Sequence, residues 1–239
     1  MSYYSDYKSG NYQEVWRKIV LSEIVNDDVM SVADLMIERV ALNTETLIQR
    51  LNEIGYQFGY YPDGEEREYF IGAHVKPDHS LSSYIDELET YIEVPILLKK
   101  FWSTVGEVDL IGRHPEWDYE YLDPYVVHRS PVEVVLDDYE SWQMDLVEFT
   151  QEELEEGFEN IPFGIVIAPD FYHKDNVSGG PPYGIAVGDG INPEVINEPN
   201  DASFVQYLRL VFKWGGFPGF QNILDKPDLR YLTDSLLPI

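Results

Sequence analysis

Glu93-Val94-Pro95-Ile96-Leu97-Leu98-Lys99-Lys100-Phe101-Trp102-Ser103-Thr104-Val105-Gly106, followed at once by Glu107-Val108-Asp109-Leu110-Ile111-Gly112, is where this chain changes its period. Pro95 suits the first turn of a helix, where its missing N–H would be an orphan in any case. Leu98, Phe101, Trp102 and Val105 then recur at i, i+3, i+4 and i+7 and predict one buried stripe. Gly106 supplies the residue that ends such a helix. From Val108 to Ile111 the pattern is that of a strand, so a helix is expected to run almost directly into a sheet.

Upstream of this junction the periodicity is mainly helical. Tyr12, Val15, Trp16, Ile19 and Val20 mark one helix face. Ser31 followed by Asp34 resembles a capping-box start for a second helix through Val32, Leu35 and Met36. Asn43 reads as the cap of a third, which carries Leu47, Ile48, Leu51 and Ile54 to a stop at Gly55. Tyr56 to Tyr61 is short and aromatic, Pro62-Asp63-Gly64 is a turn, and Glu68 to Val75 reads as a strand. Ser80 to Ile92 is expected to be a helix with Leu81, Leu88 and Ile92 on one face.

Downstream, strands are expected around Tyr125–His128, Val132–Leu136, Gly164–Ala168 and Tyr183–Val187. A helix from about Ala202 to Trp214 follows, with Asn200 or Asp201 as its cap and Phe204, Tyr207, Leu208, Val211 and Phe212 on its inner face. The stretch from Gln221 to Ile239 reads as a surface segment held by Ile223, Leu229, Tyr231 and Leu232. Helices first, then close strands, then a helix is an α+β pattern. The expected architecture is a mostly antiparallel sheet flanked by helices, with residues 1–80 as a largely helical N-terminal extension of one domain spanning 1–239.

Charge constrains the partners. The chain holds 44 Asp and Glu against 16 Lys and Arg, a net charge of -28, and fifteen of the acids lie between Glu116 and Asn160 beside a single base, Arg129. Such a surface repels phosphate backbones and anionic membranes and attracts basic proteins, polyamines and cations. With 44% hydrophobic and 14% aromatic residues the chain still has ample core material, unlike an acidic disordered segment. Absence of cysteine removes disulfides, thiolate zinc sites and a cysteine nucleophile. The first residues lack the basic and apolar regions of a secretory signal, and no apolar run approaches a membrane span, so a cytoplasmic protein is expected.

No catalytic motif stands out. His74 and His79 have the spacing of the histidine half of a zinc finger, but the cysteine half is missing and Pro77 lies between them. Neither HExxH nor a GxSxG elbow occurs. Asn176 to Gly184, with Gly179-Gly180-Pro181-Pro182, has neither the order of a dinucleotide site nor the ending of a P-loop and reads as a plain connection, the alternative being a rigid ligand-presenting turn. His114 and His173 each have carboxylates nearby in sequence, so their convergence would build a divalent-metal site; hydrogen-bonded loop histidines are the ordinary alternative. Gln151 to Asn160 is a charge run that is either solvated or a docking surface.

From about residue 81 onward, the order of elements resembles the SUKH superfamily, which includes bacterial immunity proteins against polymorphic toxins and fungal regulators of cell-wall synthesis. The resemblance rests on Glu93 to Gly106 and the strand after it. Tyr125-Val126-Val127, Ile165-Val166-Ile167-Ala168, Tyr183 to Val187 and the helix with Phe204, Tyr207 and Leu208 continue the series. Residues 1–80 and the acidic stretch near 137–159 exceed the compact family core. Members of the superfamily are generally not enzymes, so the resemblance implies a binding protein with no cofactor and no catalytic residue. On this reading the protein is an immunity protein or regulatory adaptor for a basic partner, such as a nuclease-type toxin. The expected contact is Asp137, Asp138, Glu152, Glu153, Glu155 and Glu156, with Tyr139 and Trp142 as aromatic anchors. The alternative is a small-ligand protein or enzyme with a pocket near His114, Trp117, His173 and Asp175. A third reading attributes the acidity to solubility or to a salt-rich cytoplasm.

Overall fold

A single helix of 27 residues organises the front half of the molecule. The computed structural model describes residues 2–148 and 162–239. After two short helices, α1 (Tyr3–Lys8) and α2 (Tyr12–Ser22), helix α3 runs without a break from Asp27 to Glu53. Its cap is Asn26, whose side chain accepts the Val29 N–H at 3.0 Å. The starts expected at Ser31 and Asn43 therefore do not occur. Ser31 Oγ donates back to the Asp27 carbonyl at 2.7 Å, which leaves it compatible with the helix interior. Asn43 is 1% exposed and spends its amide elsewhere: Nδ2 donates to the Leu237 carbonyl at 2.8 Å and Oδ1 accepts the Leu237 N–H at 2.7 Å.

The junction at residue 106 forms as expected. Helix α4 (Leu81–Leu88) precedes α5 (Ile96–Thr104), and Pro95 sits at the N-cap of α5 with φ -57°. Gly106 has φ +95°, and a Cβ there would run into the Val75 carbonyl oxygen. Its N–H returns to the Phe101 carbonyl at 3.1 Å and closes the helix. Strand β3 (Glu107–Asp109) then begins with no intervening loop.

Three small antiparallel sheets follow from these turns. Strand β1 (Gln57–Phe58) pairs with β4 (Gly112–Arg113). Strand β2 (His74–Val75), the surviving end of the expected Glu68–Val75 strand, pairs with β3, which pairs in turn with β5 (Val126–Val127). The third sheet has the order β6 (Gly164–Ala168), β7 (Tyr183–Ala186), β8 (Val195–Ile196). The His128 N–H bonds to the Ile167 carbonyl at 2.8 Å and joins the second sheet to the third. The fold is thus a mixed α+β arrangement with antiparallel sheets, and strands from residues 57–75 take part in two of them.

Val132 to Leu136 was expected as a strand and instead opens helix α6 (Val132–Glu148). Its β-branched residues favour a strand only locally. Val132, Val135, Leu136, Tyr139 and Trp142 fall on one helical face, and that face packs against the core. Helix α7 (Phe204–Lys213) starts at Ser203, whose N–H is accepted by the Gln206 side chain at 2.9 Å, so the cap lies a few residues beyond Asn200 and Asp201. A 3-10 turn (Pro218–Asn222) and helix α8 (Leu229–Thr233) follow.

As expected, residues 229–239 run along the surface, most of them exposed, and they are clasped by the first long helix. Leu232 is fully buried and Ile239 nearly so. Arg50 Nη1 donates to the carbonyls of Leu232 and Asp234 at 2.9 and 2.6 Å, and Arg39 Nη1 donates to that of Pro238 at 2.8 Å. Arg209 Nε on α7 holds the Ile239 carbonyl at 2.9 Å. Buried side chains from Tyr7 to Ile239 form one continuous apolar cluster. Among the described residues no helix is long and apolar enough to cross a membrane.

Candidate functional site

Two places bear on function: the outer face of α6 and a cleft beside the β1–β4 ribbon. On α6, Glu133, Asp137, Asp138 and Glu140 are exposed, and none of them has an ion-pair partner among the described residues. Several bases are paired elsewhere. Lys76, Lys99 and Lys100 pair with Glu45, Glu89 and Asp34. Arg67 and Arg129 neutralise the buried carboxylates Asp109 and Glu107 on β3 at 2.6 and 2.9 Å. Tyr139 and Trp142 face the body of the protein: their rings stack at 5.7 Å, and each packs on Phe163, at 5.0 and 5.9 Å. Of the expected contact residues, Asp137 and Asp138 thus lie outward while Tyr139 and Trp142 are engaged within the fold. Glu152, Glu153, Glu155 and Glu156 lie outside the described residues.

The cleft is built by two segments that meet. One is the loop from β4 to β5, residues 114–125; the other is the 3-10 turn His173–Asp175 with Asn176 and Val177. Asn176 stitches the second segment to the 62–65 turn, donating to Asp63 Oδ2 at 3.1 Å and Glu65 Oε2 at 3.0 Å. The space enclosed is about 330 Å³, at the lower end of the range of small-molecule sites. Its aromatic wall includes Tyr56, Trp117 and Phe217, with ring centroids 5.4–5.7 Å apart. The Tyr56 hydroxyl donates to the Leu110 carbonyl at 2.9 Å and the Trp117 indole N–H to Asp228 at 3.2 Å, which fixes both rings.

The charged groups of the cleft are mostly acidic: Asp63, Asp118, Glu120 and Asp175. Asp175 is half-buried; its Oδ2 accepts the Tyr121 N–H at 2.6 Å. Burial lifts its carboxyl to about 6 against that hydrogen bond, helped by the negative charges of Glu120, Asp123 and Asp63. Asp63, in contrast, is held below the usual carboxylate range by the Glu65 N–H and by Asn176. Two bases also border the space, and both are engaged by other groups. Lys174 is fully buried and donates to Asp123 Oδ1 at 2.5 Å, with Nζ 4.5 Å from the centre of the Tyr183 ring. Arg113 donates to Gln57 Oε1 at 2.9 Å and lies over the Tyr60 ring.

His114 lines the cleft but has no free ring nitrogen. Its Nε2 meets the Ile54 carbonyl at 2.7 Å and must donate there, while Nδ1 accepts the Glu116 N–H at 3.2 Å. This arrangement selects the Nε2–H tautomer and lays the ring on Trp117 at 4.8 Å. His173 is not in the cleft. It opens onto a neighbouring depression beside Pro169 and Pro182, with Nδ1 bonded to Asp170, whose carboxyl is kept low by His173 and by the Tyr172 N–H despite its burial. His114, Trp117 and Asp175 therefore converge and His173 diverges, because adjacent residues of a 3-10 turn point in different directions. No three His, Asp or Glu side chains among the described residues come together to hold a metal ion, which removes the divalent site considered for His114 and His173.

Sequence reasoning missed the Lys174–Asp123 pair behind the cleft and the backbone of its rim. Tyr121, Asp123 and Asn176 have φ of +57°, +53° and +63°, a left-handed conformation uncommon outside glycine and seen most at Asn and Asp. The sequence has no signal for the pair, since 51 residues separate its members. Compared with family models, with curated proteins and with solved structures, this chain finds no match.

Proposed function

We propose that this protein is a non-catalytic binding module of the cytoplasm, an immunity protein or regulatory adaptor of the SUKH kind, whose acidic surface engages a basic protein. A nuclease-type toxin fits the charge, because an enzyme that grips nucleic acid presents the positive surface such an inhibitor needs. One observation carries the reading: the exposed acids of α6, Asp137 and Asp138 among them, have no ion-pair partner among the described residues, while Lys76, Lys99, Lys100 and Arg129 are paired with other carboxylates. Glu152, Glu153, Glu155 and Glu156 extend that face in the proposal on their charge alone. Tyr139 and Trp142 serve it by seating the helix on Phe163.

The test is capture from host lysate at low salt, with elution by a salt gradient, using the protein and its Asp137→Lys/Asp138→Lys variant. A basic protein released at moderate salt and lost on charge reversal supports the reading. Capture that is indifferent to the reversal refutes the placement, and absence of any specific basic protein refutes the function. A second reading, a small-ligand protein, is favoured by the convergence of His114, Trp117 and Asp175 on a preformed cleft.

A further inference from the structure

We propose that the cleft between residues 114–125 and 173–177 binds a small organic cation of the alkylammonium class, a di- or polyamine, with one ammonium beside Asp175 and Glu120 and its methylenes against the Trp117 wall. This rests on the second reading above and is independent of the α6 surface.

Three features of the cleft point to a cation. Its wall is aromatic, and ring faces attract ammonium groups and accommodate alkyl chains together. Its carboxylates Asp63, Asp118, Glu120 and Asp175 have no ion-pair partner among the described residues. Lys174 is drawn inward by Asp123 and Tyr183, and Arg113 is held by Gln57 and Tyr60. His114, the remaining base on the wall, has both ring nitrogens engaged, by the Ile54 carbonyl and the Glu116 N–H. A half-buried Asp175 facing Glu120, Asp123 and Asp63 is left in a field that an incoming positive charge would relieve.

The rim is also held in place before any ligand arrives. Tyr121 and Asp123 keep left-handed backbone conformations, Tyr121 through its N–H to Asp175 and Asp123 through its ion pair with Lys174. Such conformations persist only where surrounding contacts enforce them, and they concentrate at ligand clamps. A hydrated divalent metal fits less well, since no cluster of three ligating side chains forms among the described residues and part of the wall is ring carbon.

Spermidine, putrescine and butylamine titrated calorimetrically into the full chain at about 0.15 M salt test the proposal. The expected result is one saturable site per chain for at least one amine. Glu120→Gln and Asp175→Asn should each weaken it about tenfold, the value of one charge-assisted contact. Asp137→Asn/Asp138→Asn should leave it unchanged. Circular dichroism establishes that each variant is folded, and Trp117→Phe should remove any ligand-induced change in tryptophan fluorescence. Several weak sites that vanish with salt and fall equally in the α6 variant would mean counter-ion condensation on a protein of net charge -28 and would overturn the proposal. Absence of saturable binding by any of the three amines would overturn it too. So would tighter binding of a lysine-rich peptide than of the free amines through these residues, which would assign the cleft to a basic protein. Loss of partner capture on α6 reversal, with amine binding intact, separates failure of one reading from failure of the other.

Discussion

Replacing Lys174 by Met should destabilise the protein by about 4 kcal/mol, because it leaves a carboxylate buried without its counter-charge. Lys174 is 0% exposed and the Asp123 side chain 4%. Their contact at 2.5 Å is the one hydrogen bond Asp123 accepts from a cation, and its Oδ2 has no hydrogen-bond partner among the described residues. Methionine keeps the length and most of the volume, so little of the loss comes from a cavity. Breaking such a pair costs about 3–5 kcal/mol, and the ammonium's attraction to the Tyr183 ring overlaps with that figure rather than adding in full. With a urea dependence of about 3 kcal/mol per M for a chain of this size, the unfolding midpoint should fall by about 1.3 M. Asp123→Asn should cost nearly as much, since it orphans the ammonium; Asn also tolerates the left-handed backbone at this position. The double variant Lys174→Met/Asp123→Asn carries neither charge and should lie closer to the wild type than either single variant. Urea titrations of the four proteins at pH 7 give the cycle directly. Singles that cost less than about 1 kcal/mol, or a double that equals their sum, would refute the claim that mutual neutralisation holds this pair in the interior.

Other expectations follow from the same contacts. Asp175→Asn should stabilise the free protein by about 1 kcal/mol at pH 8, after discounting for its partial exposure. Its carboxyl is raised from 3.8 to about 6 in the fold, so the acid's stabilising contribution is complete below the unfolded value and is lost as pH rises through the folded one. The gain over wild type should shrink as pH falls from 8 to 5, read by thermal denaturation at each pH. Gly106→Ala should cost about 3 kcal/mol from left-handed strain and from its Cβ meeting the Val75 carbonyl; chemical denaturation measures it. Tyr139→Ala and Trp142→Ala should each cost about 2 kcal/mol, being half-buried rather than fully buried rings, and affinity for a basic partner should drop less than stability does. Asn43→Ala should cost about 2 kcal/mol and expose residues 229–239 to limited proteolysis.

Legibility followed the range of the interactions. Pro95 and Gly106 announce their roles because each acts within a single turn, and the structure puts them at the two ends of α5. Ser31 and Asn43 misled because cap-type side chains also serve inside a helix: Ser31 bonds a carbonyl one turn back, and Asn43 reaches the distant Leu237. The helix at Val132 was within reach of the sequence. Val132, Val135, Tyr139 and Trp142 keep helical spacing past the short valine-rich run that resembled a strand. In the cleft, Trp117, His114 and Asp175 could be singled out by residue type. The direction of His173, the fixed tautomer of His114 and the inward turn of Lys174 depend on groups brought together by the fold. The acidity of α6 was plain in the composition, whereas the inward facing of Tyr139 and Trp142 required Phe163.

The clasp of residues 229–239 by α3 also sets an order of events during synthesis. Asn43, Arg39 and Arg50 are made early, yet their partners lie 182 to 199 residues later in the chain. Until those residues emerge, the side of α3 that receives the 229–233 helix lacks that cover. Contacts of such long sequence separation form slowly, so the nascent chain passes through an interval in which its first helices offer an apolar seam to whatever chaperone is at hand.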